Sequence, residues 1–171
     1  MRRWMLAVAV GVAATGTTPG GAQQRPISAG LAGGVSLPQG DLADRADAGW
    51  HALGTLALST LMQPLGLRLD VSYNRFGGGD QNVGSATLNA TYRLPMTNSP
   101  MSPYLVSGLG AYRSDCSATD GCEASTKFGW NVGLGTKLYV GFRSFLEARY
   151  HRTRRGDTSL SYFPLTLGLL F

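Results

Sequence analysis

Residues 65–76 read LGLRLDVSYNRF. Leu65, Leu67, Leu69, Val71 and Tyr73 share one parity, and Gly66, Arg68, Asp70, Ser72 and Asn74 share the other. Side chains on a strand alternate faces with period 2, so this segment predicts a strand with one apolar and one polar face. Similar runs occur at 27–37, 50–59, 83–94, 103–113, 127–139, 144–152 and 160–171, which makes about eight strands. Most of the runs hold 9–12 residues. Ordinary strands average about 5–6, whereas a tilted strand crossing a bilayer needs about 9–11.

Charge decides which face looks outward. Charged residues make up 15% of the chain, against about 25% in an average soluble domain. The polar parity is mostly small, as in Ser28, Gly30, Gly34 and Ser36, or uncharged, as in Thr87, Asn89, Thr91 and Asn131. A soluble exterior would use lysine and glutamate there, while small polar groups suit the inside of a narrow barrel. The leucines of 65–76 are therefore expected to face lipid, and Arg68 and Asp70 the lumen. The connections support this reading. Residues 38–49, 77–82, 114–126 and 153–159 are polar and mostly longer, while those near 60–64, 95–102 and 140–143 are mostly tighter. Long loops at one end and short turns at the other mark an outer-membrane barrel. Trp50, Tyr73, Trp130, Tyr150 and Phe163 are expected at the outer rim, and Tyr92, Tyr104 and Phe171 at the inner rim, as two aromatic girdles. The expected fold is all-β: an eight-stranded antiparallel up-and-down transmembrane barrel with a side-chain-filled lumen.

The first 22 residues read as a secretory signal peptide, with Arg2 and Arg3 before an apolar run from Trp4 to Ala14 and a cleavage point near Ala22. Residues 23–171 then form one barrel domain. Losing Arg2 and Arg3 lowers the formal charge from +5 to about +3, and no basic cluster interleaved with aromatics suggests nucleic acid. Cys116 and Cys122 are the only cysteines. In an exported chain they predict a local disulfide rather than a metal site.

Six charged residues are expected in the periplasmic half of the lumen: Arg68, Asp70, Arg93, Lys137, Glu147 and Arg149. Arg68, Asp70, Glu147 and Arg149 lie just after the turns that start their strands, and Arg93 and Lys137 just before the turns that end theirs. Four are basic and two acidic, so each carboxylate is expected beside a base. They read as a salt-bridge plug. The competing reading makes Glu147 a catalytic acid or an ion gate.

With "GGVSLPQGDL", "SYNRF", "PYLVSGLGAY", "EARYHR" and the terminal "PLTLGLLF", the chain resembles the small bacterial outer-membrane β-barrels of the OmpA/OmpX type. The resemblance implies a monomer in outer-membrane lipid. It also implies an assembly signal, Leu167, Leu169 and Phe171, read by the barrel-assembly machinery. Pro164 lacks a ladder donor, so strand pairing is expected to be disturbed there.

Three functions stay open. One is a structural or interaction protein presenting four outer loops to an extracellular ligand; the Arg155–Asp157 RGD tripeptide falls in the last of these. Another is a narrow path for ions or small apolar molecules. The third is a lipid-modifying acyl hydrolase with His151 as base and Thr153 as nucleophile, although no G-x-S-x-G is present. The first, non-enzymatic and without a cofactor, is the main expectation.

Overall fold

The structure, a computed structural model, describes residues 27–58, 64–78, 81–96, 101–115, 125–155 and 158–171. Eight strands follow one another: β1 (Ile27–Gln39), β2 (Asp47–Leu58), β3 (Leu65–Gly77), β4 (Asn82–Arg93), β5 (Met101–Asp115), β6 (Ser125–Val140), β7 (Phe142–Arg155) and β8 (Thr158–Leu170). Each is antiparallel to the next, and β8 pairs with β1 to close the barrel. A short 3-10 turn, Gly40–Leu42, follows β1. Below, "inner" means the end where β1 begins and β8 ends.

The alternation in the sequence becomes an inside-out protein. Leu56, Leu69, Leu88 and Leu109 stand directly opposite one another across β2 to β5, and all point outward. Cross-strand leucines on an outer wall hold a sheet together only where that wall meets hydrocarbon. The opposite parity is buried and polar: Ser36, Thr55, Asp70, Asn74, Asn89 and Asn131 are all less than 4% exposed.

The strands hold 12 to 16 residues, longer than the runs read from the sequence. Their ends absorb much of what read as loop. The outer connections shrink to 40–46, 78–81, 116–124 and 156–157. Loop length therefore alternates less cleanly than expected, since the inner connection 94–100 is longer than the outer one at 78–81. The β6–β7 connection is the single residue Gly141, whose φ of 75° lies in the left-handed region that glycine adopts without penalty.

Two local expectations change. Tyr104 does not join an inner aromatic girdle; it is 4% exposed and points into the lumen. In β5 the lipid-facing parity is Leu105, Leu109 and Ala111, while Tyr104, Val106 and Tyr112 face inward. Around Pro164, the β7–β8 pairs Ala148–Leu165 and His151–Tyr162 keep one register, so the missing donor opens the ladder locally without a shift. At the outer rim, Trp50 packs on Tyr73 and Trp130 on Tyr150, with ring centroids 6.0 and 5.7 Å apart.

Candidate functional site: the closed lumen

The middle of the lumen holds a four-membered ion network. Arg68 donates through Nε to Asp70 Oδ2 at 3.1 Å and through Nη2 to Glu147 Oε2 at 2.8 Å. Arg149 donates through Nη2 to Asp70 Oδ2 at 2.6 Å and through Nε to Glu147 Oε1. Tyr104 donates its hydroxyl to Glu147 Oε2 at 2.7 Å, and Asn89 donates Nδ2 to Asp70 Oδ2 at 2.9 Å. Two guanidinium groups and two carboxylates balance, and no side chain in the set is more than 6% exposed. Such a network survives burial because every charge has two partners of opposite sign.

Small residues on β6 make room for it. A Cβ on Gly133 would lie 2.7 Å from Arg149 Cγ, and one on Gly135 would lie 2.6 Å from Tyr104 Oη. These lumen-facing glycines are the space that the large side chains fill.

Above the ion network lies a neutral polar layer. Ser36 donates to Asn74 Oδ1 at 2.8 Å, and Asn74 Nδ2 donates to Ser72 Oγ and to the Val83 carbonyl, both at 3.2 Å. These two bonds fix the Asn74 amide with its oxygen toward Ser36. A hydroxyl has one proton to give, so at the 3.1 Å contact between Ser36 Oγ and His51 Nδ1 the imidazole is the donor. His51 Nε2 then accepts from Thr166 Oγ1 at 3.0 Å. His151 Nδ1 meets the Tyr112 hydroxyl at 3.0 Å and its ring stacks on Tyr162, 4.8 Å between centroids.

The outer end is apolar. Leu42 and Ala46, from the first outer connection, pack with Phe76, Val83, Tyr112, Leu160 and Tyr162 in one buried cluster. Two small cavities open in the lumen, about 20 Å3 beside His51, Asp70 and His151 and about 60 Å3 at the inner mouth.

Of the six charged residues singled out in the sequence, Arg68, Asp70, Glu147 and Arg149 meet in the network. Arg93 and Lys137 lie apart from it, on the wall of the inner cavity. Leu167, Leu169 and Phe171 all point outward on the last strand or just after it. His151 and Thr153 share the lumen face, but the Thr153 hydroxyl is committed to the Phe128 carbonyl at 3.1 Å. The signal-peptide region, Cys116, Cys122 and the last two residues of the RGD tripeptide fall outside the described residues. Sequence reasoning missed the Ser36–His51–Thr166 chain and the Leu42 cap. The alternation of β1 and β2 placed Ser36 and His51 on one face, but only the register Gly34–His51 brings them together.

A closed eight-stranded barrel, with leucines on its outer wall and a polar, ion-paired interior, defines an outer-membrane β-barrel protein. The chain belongs to the outer membrane protein beta-barrel domain family, whose model matches residues 5–171, and its place is the bacterial outer membrane. Among solved structures it is similar to Neisserial surface protein A (NspA), at 17% identity with a TM-score of 0.71, over 85% of this chain and 96% of that one. It is also similar to the N-terminal barrel domain of Pseudomonas aeruginosa OprF, at 18% identity with a TM-score of 0.57, over 87% and 100% of the two chains. The outer membrane enzyme PagL shares the fold at 13% identity with a TM-score of 0.56, over 84% and 98%. Comparison with curated protein sequences gives no match.

Proposed function

We propose that this barrel is a closed structural and surface-display protein, which holds its outer connections at the cell surface and passes no solute. The observation that carries the reading is the double closure of the lumen: the Arg68–Asp70–Glu147–Arg149 network in the middle and the Leu42 cluster at the outer end. An ion entering the lumen would have to displace buried charge pairs and then cross an apolar layer, and both steps cost energy. A protein built this way offers other molecules its rims and its outer connections. That one barrel of the same fold is a neisserial surface protein supports the same reading.

The acyl hydrolase read from the sequence is the alternative, and one barrel of the same fold, PagL, is an outer membrane enzyme. A hydrolytic serine must lose its proton to a base, and Ser36 instead gives its proton to Asn74 while His51 donates to it. Both histidines are buried in the lumen, away from acyl chains in the bilayer. The deciding experiment is planar-bilayer recording of the purified barrel, with lipid A acyl chains counted in cells that overproduce it. Flat traces and unchanged lipid A are the expected results. Reproducible unitary openings would overturn the closed lumen, and loss of an acyl chain would restore the hydrolase.

A further inference from the structure

Three donors reach the Asp70 carboxylate, and they share a single oxygen. Arg68 Nε, Arg149 Nη2 and Asn89 Nδ2 all bond to Oδ2. The other oxygen, Oδ1, is buried and has no hydrogen-bond partner among the described residues. A carboxylate oxygen can accept two protons from donors. One that is sealed from water without a donor loses its hydration and gains no bond. The Tyr162 hydroxyl stands in the same condition. Tyr162 is 1% exposed, and its Oη has no hydrogen-bond partner among the described residues.

Asp70 and Tyr162 line the same cavity. Its volume is about 20 Å3, and it sits where the ion network meets the neutral layer, with Glu147 and His51 both on its wall. Ser85 and Thr87 add hydroxyls to that wall. One water needs roughly 10–15 Å3 of such space and two to four polar partners, so the cavity takes a single occupant of that size. Charge decides what it is. Arg68 and Arg149 already balance Asp70 and Glu147. An ammonium or a metal ion would bring an uncompensated charge into the interior, at high cost. Oδ1 needs a donor, and a phenol both gives and accepts a proton. Water is the neutral molecule of this size that serves both. Thr55 is the protein group that competes for Oδ1. It stands opposite Asp70 in the β2–β3 register, and its Oγ1 is buried without a partner among the described residues. Its one proton would fill half of Oδ1 and leave Tyr162 unchanged.

We propose that this cavity is the binding site of one internal water molecule, which donates to Asp70 Oδ1 and bonds on its other side to Tyr162 Oη. The water completes the Asp70 carboxylate and joins the ion network to the neutral layer, so it is a structural member of the barrel. The site is independent of the display function, since it concerns the lumen and not the outer connections.

The test has two readouts. The purified full barrel is crystallised at a resolution that shows ordered water, and its unfolding midpoint in neutral-detergent micelles is compared with that of Tyr162→Phe. The substitution keeps the ring that stacks on His151 and removes only the hydroxyl. Losing a buried hydroxyl that bonds nothing raises the midpoint, whereas losing one that holds a water lowers it. Density for one water about 2.7–3.0 Å from Asp70 Oδ1 is expected, together with a lower midpoint for Tyr162→Phe. A cavity without density, with Thr55 Oγ1 bonded to Oδ1 in its place, overturns the site. So does density at the shorter distances of a metal ion, about 2.0–2.6 Å, or a Tyr162→Phe midpoint that does not fall.

Discussion

Arg68 and Glu147 meet across the full width of the barrel. They belong to β3 and β7, four strands apart in either direction round an eight-stranded closed sheet, and Arg68 Nη2 lies 2.8 Å from Glu147 Oε2. Arg149 returns the contact from β7 to Asp70 on β3 at 2.6 Å. Backbone ladders join neighbouring strands only, so these side chains tie opposite walls that hydrogen bonding of the sheet does not connect.

Removing Glu147 therefore leaves two buried guanidinium groups sharing Asp70 alone. Breaking one member out of a buried pair costs about 3–5 kcal/mol. Glu147→Gln is expected to lower stability by that order in urea unfolding from micelles. The double substitution Arg68→Met with Glu147→Leu is expected to recover much of the loss, because it removes charge from both walls. If Glu147→Gln keeps wild-type stability, the network does not hold the walls together.

The β6 glycines carry a second expectation. A methyl on Gly135 would meet Tyr104 Oη at 2.6 Å and the Leu146 carbonyl at 2.8 Å, and Tyr104 is the donor that completes Glu147. Gly135→Val is expected to destabilise by about 1–3 kcal/mol, the usual cost of overpacking. Coupling it with Tyr104→Ala tests the cause. If the contact with Tyr104 matters, the two losses add to less than their sum in a double-mutant cycle; strict additivity would place the strain in the backbone instead.

The fold was legible in the sequence because lipid on one side and a polar lumen on the other force a clean period of 2, as in Leu65 to Asn74. The pattern misled where both faces use small or apolar residues. In "PYLVSGLGAY" either parity reads as lipid-facing, and Tyr104 was placed on the wrong one. Leu42 was not legible as a cap, since a lone leucine in a "GDL" turn has no period to mark it. Strand lengths were underread because the outer strand ends, such as Gly77, Ser114 and Asp115, carry turn-forming or polar residues that look like loop. Arg68, Asp70, Glu147 and Arg149 could be assigned to one region from turn positions alone. That Arg93 and Lys137 stand apart needed the register.

Ser36 tests the neutral layer. It accepts from His51 and donates to Asn74, so Ser36→Ala leaves two buried polar groups short of a partner. Each such group costs about 1–3 kcal/mol. The expected result is a lower unfolding midpoint with unchanged lipid A in producing cells. A stable variant whose cells show altered lipid A acylation would give Ser36 a chemical role.

Cys116 and Cys122 bracket a short stretch between β5 and β6. In an oxidising compartment they are expected to join. The chain-entropy estimate for so short a loop is about 2 kcal/mol, and both cysteines fall between β5 and β6 in the sequence rather than within either strand, so folding is expected to survive Cys116→Ser with Cys122→Ser. Mass spectrometry of the unreduced protein checks the link; two free thiols in freshly isolated membranes would disprove it.

Phe171 bears on assembly rather than on the finished barrel. It is 60% exposed, and its amide donates to the Ala29 carbonyl at 2.7 Å, so it sits at the seam where the last strand closes on the first. Leu167 and Leu169 point the same way along β8. An exposed apolar parity at the closing strand is the surface an assembly machine can hold before β1 and β8 pair. Phe171 contributes one seam bond and little burial, so its deletion is expected to cost the folded barrel about 1 kcal/mol or less. The amount of folded, heat-modifiable barrel in the outer membrane is expected to fall far more than that loss explains. Comparing the two readouts separates the roles: refolding of the purified deletion variant into micelles reports stability, and its yield in cells reports recognition. Normal cellular yield with impaired refolding would make Phe171 a seam residue only.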